Sequence, residues 1–283
     1  AEVVVAGGME NMSQAPHVIR GARVGFHLGE GKLEDSLLAA LLDPYCNLYM
    51  AQTAEKLARK YEISREEQDA YALFSIRRTQ DAQQQGRLAE EIFPVEIQTR
   101  RKTITVDHDD HMRPDSTLEG LAKLKPAFGK DGSVTAGNAS GMVDGAAALV
   151  LAAGGSSRSG IARILGWETV GVDPSIMGIG PAPAIRGALE KVGLGLGEID
   201  LFEINEAFAA QYLAVEKELG LDRERVNVNG GAIALGHPLG MTGTRLILTV
   251  ILELRRRGAR YGVASACIGG GQGMAVVVEA EKE

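Results

Sequence analysis

The sequence predicts an α/β fold, because its second half alternates short apolar runs with longer helical patterns, and glycine-rich turns follow several of the runs. Strands are predicted at residues 162–170, 201–204, 227–229, 263–266 and 275–279. Helices are predicted at residues 182–192, 206–219 and 238–257. Strands and helices of these lengths in alternation are typical of a sheet covered by helices.

The first half of the chain is more polar and richer in loops. It begins with a strand at residues 2–8, and a second apolar strand is predicted at residues 146–151; both are expected to be buried. Ser64-Arg65-Glu66-Glu67 is a capping box that opens a long helix, which Gly86 closes. The remaining predicted elements are helices at 37–42 and 53–61, exposed strands at 95–98 and 102–106, and a domain junction at 154–160.

Composition and charge exclude several classes of protein. The 283 residues are 45% hydrophobic and 24% charged, with a formal net charge of -7, so no basic excess is available for nucleic-acid binding. The longest apolar runs are too short to span a bilayer. Two cysteines without a Cys/His cluster predict neither a disulfide framework nor a metal site, and indicate a reduced, intracellular protein. Ala1 stands directly before a strand pattern, so we expect a longer natural N-terminus.

Three turns at predicted strand ends are candidates for a ligand site. They are Asn205–Phe208, Gly230–Gly240 and Cys267–Gly273. Open α/β sheets bind their ligands at the ends of strands, so these turns are expected to share one site. The glycines alone do not indicate a phosphate loop, because they have neither the Gly-Lys-Ser/Thr ending nor the GxGxxG spacing.

His237 precedes Pro238, so it is expected at a helix N-cap, where the helix dipole favours a neutral imidazole that accepts a proton. The alternative for His237 is a histidine packed at a surface helix cap. Cys267 stands among glycines whose backbone N–H groups could hold an oxyanion, although a free cysteine is usually a small buried apolar residue. Asn205 has the alternative of being only a helix N-cap. Cys46 is interpreted as structural.

Together these turns resemble the signatures of the thiolase family. The resemblance covers essentially the whole chain, because three further segments also match: Ala6-Gly-Gly-Met-Glu-Asn-Met-Ser-Gln-Ala-Pro16, Thr135-Ala-Gly-Asn-Ala-Ser-Gly141 and Asp173-Pro-Ser-Ile-Met-Gly-Ile-Gly-Pro181. Met50-Ala-Gln-Thr-Ala-Glu55 and Ala266-Cys-Ile-Gly-Gly-Gly-Gln-Gly273 look most like the degradative 3-ketoacyl-CoA thiolases.

The resemblance implies a thiolase-like layered α-β-α-β-α fold with an incomplete N-terminal half. Residues 1–10 and 136–158 would be the remnant of the N-terminal domain, residues 11–135 a loop domain that covers coenzyme A, and residues 159–283 a complete C-terminal domain. It implies acyl transfer between 3-ketoacyl-CoA and CoA, with CoA as a substrate and no cofactor or metal. A homodimer or homotetramer, located in the cytoplasm or in the mitochondrial matrix of a eukaryote, is also implied.

The family's site residues map onto this sequence one by one. His237 would deprotonate the nucleophilic thiol and help to stabilise a thioester oxygen, and Asn205 would hold a water that completes this first oxyanion site. Cys267 would exchange the proton at the α-carbon of acetyl-CoA, and the backbone N–H of Gly269 would serve the second oxyanion site.

CoA would contact Arg113 at its nucleotide end, where a guanidinium suits phosphate, and four further residues along the pantetheine tunnel. These four are Phe128, Ser140, Met177 and Phe208. The alternatives are ordinary core packing for Phe128, Met177 and Phe208 and a solvated surface charge for Arg113.

The sequence departs from the family at two points. The nucleophilic cysteine of thiolases lies upstream of the Ala-Gly-Gly-Met-Glu motif, and neither Cys46 nor Cys267 occupies its place, so we expect this segment alone to be inactive and marginally stable. Tyr49 stands where short-chain biosynthetic thiolases often have His, which favours the degradative branch.

Three alternative functions remain open at this stage. An acetoacetyl-CoA (biosynthetic) thiolase differs only in its substrate. A ketoacyl synthase would have a second histidine in place of Cys267. An inactive thiolase-like lipid-binding or assembly subunit would have no need to keep His237, Asn205 and Cys267 together.

Overall fold

The computed structural model describes residues 1–155 and 160–281. The strands are β1 (Val3–Glu10), β2 (His17–Ile19), β3 (Leu33–Asp35), β4 (Leu42–Asp43), β5 (Leu48–Tyr49), β6 (Val95–Gln98), β7 (Thr103–Val106), β8 (Gly145–Ala152), β9 (Ala162–Gly171), β10 (Leu201–Ile204), β11 (Tyr261–Ile268) and β12 (Gln272–Ala280). The α-helices are α1 (Ser36–Ala40), α2 (Met50–Lys60), α3 (Arg65–Gln84), α4 (Leu118–Ala122), α5 (Pro181–Val192), α6 (Ala209–Leu219), α7 (Ala232–Leu235) and α8 (Leu239–Arg257). The predicted junction at 154–160 includes residues 156–159, which lie outside the described residues.

The second half of the chain forms a four-stranded sheet in the order β10-β11-β12-β9. β10 and β11 are parallel, whereas β12 is antiparallel to both of its neighbours. Alternate residues of β11 and β12 lie on opposite faces of the sheet and belong to two different hydrophobic cores. Val263 and Val277 pack with residues of α5 and α6 on one face, and Ala264 and Val278 pack with residues of α8 on the other. The predicted α/β layer is therefore confirmed, with helices on both faces of the sheet.

Helix α8 lies between this sheet and a two-stranded ribbon, in which β1 and β8 pair antiparallel from Val3 opposite Ala152 to Glu10 opposite Gly145. The ribbon approaches the helix through glycine, because a Cβ on Gly8 would lie 1.8 Å from the carbonyl oxygen of Gly240. The prediction that both ribbon strands are buried is wrong: Val5 and Val150 are each 70% exposed. Helix α8 covers one face of the ribbon. The apolar pattern of the strands shows that they are suited to burial, but it does not indicate whether the second face is covered.

Residues 11–135 pack against the C-terminal half mainly through α2 and α3. The predicted capping box is confirmed, since the Glu67 N–H donates to Ser64 Oγ and the Ser64 N–H donates to Glu67 Oε2. Leu57 of α2 and Ala72 of α3 are fully buried in the same core as α5 and α6. The predicted pair of exposed strands is also confirmed as the β6–β7 hairpin. No helix within residues 1–155 and 160–281 has both the length and the apolar character needed to cross a membrane.

The strand predicted at residues 227–229 is wrong, because only isolated bridges form there. Asn227 has a φ of +46°, in the left-handed region, so the chain does not continue there as an extended strand. The Ile204 N–H donates to Asn227 Oδ1, and Asn227 Nδ2 donates to the Ile204 carbonyl. A side-chain amide therefore pairs with the end of β10, next to the hydrogen bond from the Asn227 N–H to the Phe202 carbonyl.

Candidate active site

The three glycine-rich and polar turns meet at a cavity of about 1050 Å³ with a mainly apolar wall. Their convergence follows from the sheet, because β10 and β11 are adjacent and parallel and both end at this edge. Of the predicted site residues, those that line the cavity are His237, Cys267, Gly269, Arg113, Phe128, Ser140, Met177 and Phe208. Asn205 joins them through a hydrogen bond to His237.

The imidazole of His237 is held by a contact at each ring nitrogen. Nδ1 lies 2.7 Å from Thr242 Oγ1, and Thr242 Oγ1 lies 3.0 Å from the Pro238 carbonyl, to which it can only donate. Because the hydroxyl has one proton, it accepts from Nδ1–H, and the lone pair of the neutral ring is on Nε2. Burial, followed by the charge of Arg245, lowers the pKa of His237 to about 4, so the ring is neutral at physiological pH.

The expected N-cap position of His237 is off by one residue, because Pro238 is the N-cap of α8. The backbone N–H of His237 donates instead to the Gly141 carbonyl at 2.9 Å. The alternative of a histidine packed at a surface helix cap does not hold, since the ring lines the cavity and its neutral state comes mainly from burial.

Asn205 is not a helix N-cap, because that position of α6 is Phe208. Its backbone N–H donates to the Ser265 carbonyl, which extends the pairing of β10 with β11. Its side-chain Nδ2 lies 3.2 Å from His237 Nε2, the nitrogen that carries the lone pair. Oδ1 is buried and has no hydrogen-bond partner among the described residues, so it is available to accept a hydrogen bond from a water or a ligand.

Cys267 is buried near the end of β11, and burial raises the pKa of its thiol to about 12. The thiol is therefore protonated at neutral pH. The turn that follows depends on glycine: Gly270 and Gly271 both have a φ of +83°, and a Cβ on Gly273 would lie 2.1 Å from the Gly180 carbonyl oxygen. Gly269 begins this turn and lines the cavity.

Cys46, the other cysteine, does not line the cavity. It follows β4, where its N–H donates to Asp43 Oδ1 at 3.0 Å. Burial, followed by a hydrogen bond with Asp43, raises the pKa of its thiol.

The predicted binding residues differ in how they are held. Ser140 donates to the Ala207 carbonyl through both its N–H and its hydroxyl. Met177 packs in a buried cluster with Met50, Ala207 and Cys267, so it is at once a core residue and part of the cavity wall. The ring of Phe128 lies 5.9 Å from that of Tyr49 and is 38% exposed. Arg113 is exposed at the rim.

Sequence reasoning did not assign roles to Thr242 and His111. Thr242 stands one helical turn after Pro238, and that spacing is the signal for a hydroxyl that bonds the carbonyl four residues earlier. His111 lines the cavity, and a Cβ on Gly141 would lie 2.1 Å from its ring, so a side chain at 141 would require this ring to move. Across the described part of the chain, no three His, Cys, Asp or Glu side chains are grouped so that they could hold a metal ion.

Two family models match the chain: "Thiolase, N-terminal domain" at residues 1–155 and "Thiolase, C-terminal domain" at residues 159–280. The chain is 55% identical to the mitochondrial 3-ketoacyl-CoA thiolase of Homo sapiens over 99% of its own length and 72% of that protein. It is 50% identical to an acetyl-CoA acetyltransferase of Shinella zoogloeoides, with the same coverage.

Solved structures give the same result. The crystal structure of the human mitochondrial 3-ketoacyl-CoA thiolase matches with a TM-score of 0.97, and the match covers 99% of this chain and 72% of the human chain. The structure of the same enzyme in complex with CoA matches with a TM-score of 0.95, and that match covers 99% of this chain and 71% of the human chain. The predicted thiolase-like fold and the family resemblance are confirmed. The chain belongs to the thiolase family of acyltransferases.

Proposed function

We propose that this chain carries the acid/base half of a 3-ketoacyl-CoA thiolase site, which converts 3-ketoacyl-CoA and CoA into acyl-CoA and acetyl-CoA, or runs the reverse condensation. The observation that carries the proposal is the arrangement around the cavity. A neutral histidine with its lone pair on Nε2, an amide that donates to that nitrogen, and a protonated buried thiol all meet at the same edge of the sheet.

His237 acts as the first base. Its Nε2 accepts the proton of the nucleophilic thiol, which the family carries on a cysteine upstream of the motif at residues 6–10. Thr242 keeps Nδ1 protonated, so the basic nitrogen is the one that faces Asn205. Together, His237 and a water held by Asn205 stabilise the thioester oxygen; the unpartnered Asn205 Oδ1 supports such a water.

Cys267 acts on the α-carbon. After the thiolate attacks the 3-keto carbon, the bond between the second and third carbons breaks and its electrons pass to the acetyl-CoA enolate. The enolate takes the proton of the Cys267 thiol, whose pKa of about 12 keeps it protonated until that moment. The backbone N–H of Gly269 stabilises the enolate oxygen. The Cys267 thiolate then takes a proton from the incoming CoA thiol. The CoA thiolate attacks the thioester, the bond to the nucleophilic cysteine breaks, and acyl-CoA is released. The expelled cysteine thiolate takes back the proton held on His237 Nε2.

CoA enters from the side of residues 11–135. Arg113 at the rim suits the nucleotide phosphates, and the apolar wall that includes Phe128, Met177 and Phe208 suits the pantetheine arm. Ser140 would contact the same arm. The human 3-ketoacyl-CoA thiolase, which has the same fold, has been solved in complex with CoA, and this supports CoA as the ligand.

The degradative 3-ketoacyl-CoA reaction is favoured by the human relative at 55% identity and by Tyr49 before Met50. The second candidate, acetoacetyl-CoA chemistry, is supported by the acetyl-CoA acetyltransferase at 50% identity. An inactive lipid-binding or assembly subunit is disfavoured, because the hydrogen bonds around His237 are complete.

The test is thiolysis by the full-length protein with acetoacetyl-CoA and with 3-oxooctanoyl-CoA. We expect turnover of both, with a higher kcat/KM for the longer chain, and a loss of about a thousandfold in kcat for His237→Asn. His108→Asn is the matched control, because His108 is exposed, forms a hydrogen bond with Asp107 and does not line the cavity. Wild-type activity in His237→Asn would refute the proposal, and a preference for acetoacetyl-CoA would assign the second candidate.

The oligomer and the compartment are proposals from resemblance. We expect a homodimer or homotetramer, which sedimentation of the full-length protein would measure. Relatives named as mitochondrial favour the mitochondrial matrix for a eukaryotic source and the cytoplasm for a bacterial one, which fractionation of the source cells would test.

A further inference from the structure

Glu206 is a fully buried carboxylate that receives hydrogen bonds from four neutral donors. Oε1 accepts from the Tyr71 hydroxyl at 2.7 Å and from Asn227 Nδ2 at 3.1 Å. Oε2 accepts from the Ser75 hydroxyl at 2.8 Å and from the Ile233 N–H at 3.1 Å. Burying a carboxyl group is costly unless its oxygens are hydrogen-bonded, and here each oxygen has two partners.

The four donors come from three separate parts of the chain. Tyr71 and Ser75 are on α3, in the segment expected to cover CoA, whereas Ile233 is in α7 and Asn227 lies between α6 and α7. Ser75 Oγ also accepts from the Gly231 N–H at 3.1 Å. The packing leaves no space, because a Cβ on Gly231 would lie 2.4 Å from the Glu206 carboxyl carbon.

Both turns that carry the proposed base and its partner depend on this carboxylate. Asn205 is its neighbour in the chain, and α7, whose Ile233 N–H it binds, leads through Gly236 directly to His237. The two turns together place Asn205 Nδ2 3.2 Å from His237 Nε2, and this hydrogen bond is the contact that a displacement of either turn would change. Catalytic groups must be held to within about 0.5 Å, and a displacement of 1 Å can cost a factor of about a hundred in rate.

We propose that Glu206 is a positioning residue: it fixes His237 against Asn205 and makes their alignment depend on the docking of α3. This rests on the roles proposed above for His237 and Asn205. Glu206 does not line the cavity, so it acts through the two turns and not on the substrate.

Two stacked tyrosines provide a matched test in the full-length protein. The rings of Tyr71 and Tyr212 lie 4.3 Å apart, both are buried, and each donates one hydrogen bond to a glutamate. Only Tyr71 bonds Glu206; Tyr212 bonds Glu216. We expect Tyr71→Phe to lower kcat about tenfold with the KM for CoA within about twofold, and Tyr212→Phe to keep kcat within about twofold. Equal kcat values in the two variants at equal folded fractions would overturn the proposal.

A second measurement does not require activity. The chain has five histidines, and the ring ¹⁵N signals of His237 can be assigned with His237→Asn. We expect Tyr71→Phe and Glu206→Gln to shift the His237 Nε2 signal, whereas Tyr212→Phe leaves it unchanged. If His237→Asn keeps full activity, the proposed function fails even where these shifts appear. If the Nε2 signal is the same in Tyr71→Phe as in the wild type, the positioning role fails alone, whether or not Glu206→Gln folds.

Discussion

Two strands of this chain contain the same tripeptide, Val-Val-Val, in opposite environments. In β1, Val3, Val4 and Val5 are 38%, 47% and 70% exposed. In β12, Val277 and Val278 are fully buried. The difference comes from the neighbours: β12 has a strand on each edge and a helix on each face, whereas within residues 1–155 and 160–281 β1 pairs with β8 alone and meets α8 on one face.

The comparison shows that an apolar strand pattern indicates what a strand is suited to pack against, and not how completely it is covered. It also separates the two regions by function. The turns with Asn205, His237 and Cys267 all belong to the covered sheet and to α7 and α8, whereas the ribbon touches this region at the start of α8, where Glu10 accepts from the Gly240 N–H. We therefore expect substitutions in the covered region to dominate both activity and stability.

The largest expected effect is on catalysis in the covered region. Cys267→Ala should lower kcat of the full-length protein by about a thousandfold, because it removes the proposed acid at the α-carbon. Cys46→Ala is the control: Cys46 lies outside the cavity, so its kcat should stay within about twofold. A comparable loss of kcat in both variants would contradict the different roles given to the two cysteines.

The next effect is at the contact between the ribbon and α8. Gly8→Ala should lower the free energy of unfolding by about 3 kcal/mol, since its Cβ would lie 1.8 Å from the Gly240 carbonyl oxygen. Gly154→Ala meets no atom within 4 Å and should change it by less than about 0.5 kcal/mol. Urea unfolding of the two variants measures the difference, and an unaffected Gly8→Ala would mean that the ribbon does not pack on α8.

The two valine strands can be compared directly. Val277→Ala should lower the free energy of unfolding by about 2 kcal/mol, because it leaves a cavity in a core that α5 covers. Val5→Ala, at a side chain that is 70% exposed, should lower it by less than about 0.5 kcal/mol. Equal losses in chemical denaturation would contradict the difference in coverage.

A smaller effect tests the tautomer of His237. Thr242→Val removes the hydroxyl that accepts from Nδ1–H and should lower kcat about tenfold. Thr242→Ser keeps the hydroxyl and should retain activity within about twofold. If Thr242→Val is as active as Thr242→Ser, the hydroxyl does not set the protonated nitrogen.

The smallest effect is on stability against pH. The folded pKa of His237, about 4, is below its ordinary value of 6.5, so the unfolded chain binds the extra proton first as the pH falls. His237 therefore contributes stability that is complete above pH 6.5 and is lost as the pH falls from 6.5 towards 4. Between pH 7 and 5.5 the wild type should lose about 1 kcal/mol more than His237→Gln in chemical denaturation. Parallel pH profiles would show that the ring is not held neutral.

The sequence predicted the alternation of β9 to β12 with α5, α6 and α8, because apolar period and glycine turns are local signals. It did not predict the loss of a strand at 227–229, where the side chain of Asn227 pairs with Ile204 in place of a backbone. Nor did it predict the exposure of the ribbon, since coverage depends on contacts that are remote in the sequence.

The meeting of the three turns at one cavity was predictable, because the turns are contiguous motifs at strand ends. The predicted N-cap position of His237 was wrong by one residue, and the N-cap alternative for Asn205 does not hold. Both depend on where α8 and α6 begin to within a few residues. The hydrogen bonds of Glu206 could not be predicted without the fold, because Tyr71 and Ser75 lie 135 and 131 positions away in the chain.

The most direct measurement is a crystal structure of the full-length protein with CoA. We predict that the thiol end of CoA lies within about 4 Å of His237 Nε2 or Cys267 Sγ, with the pantetheine arm along Phe128 and Met177 and the nucleotide beside Arg113. CoA bound with its thiol outside the cavity, or a cavity without CoA at saturating concentration, would contradict the proposed site.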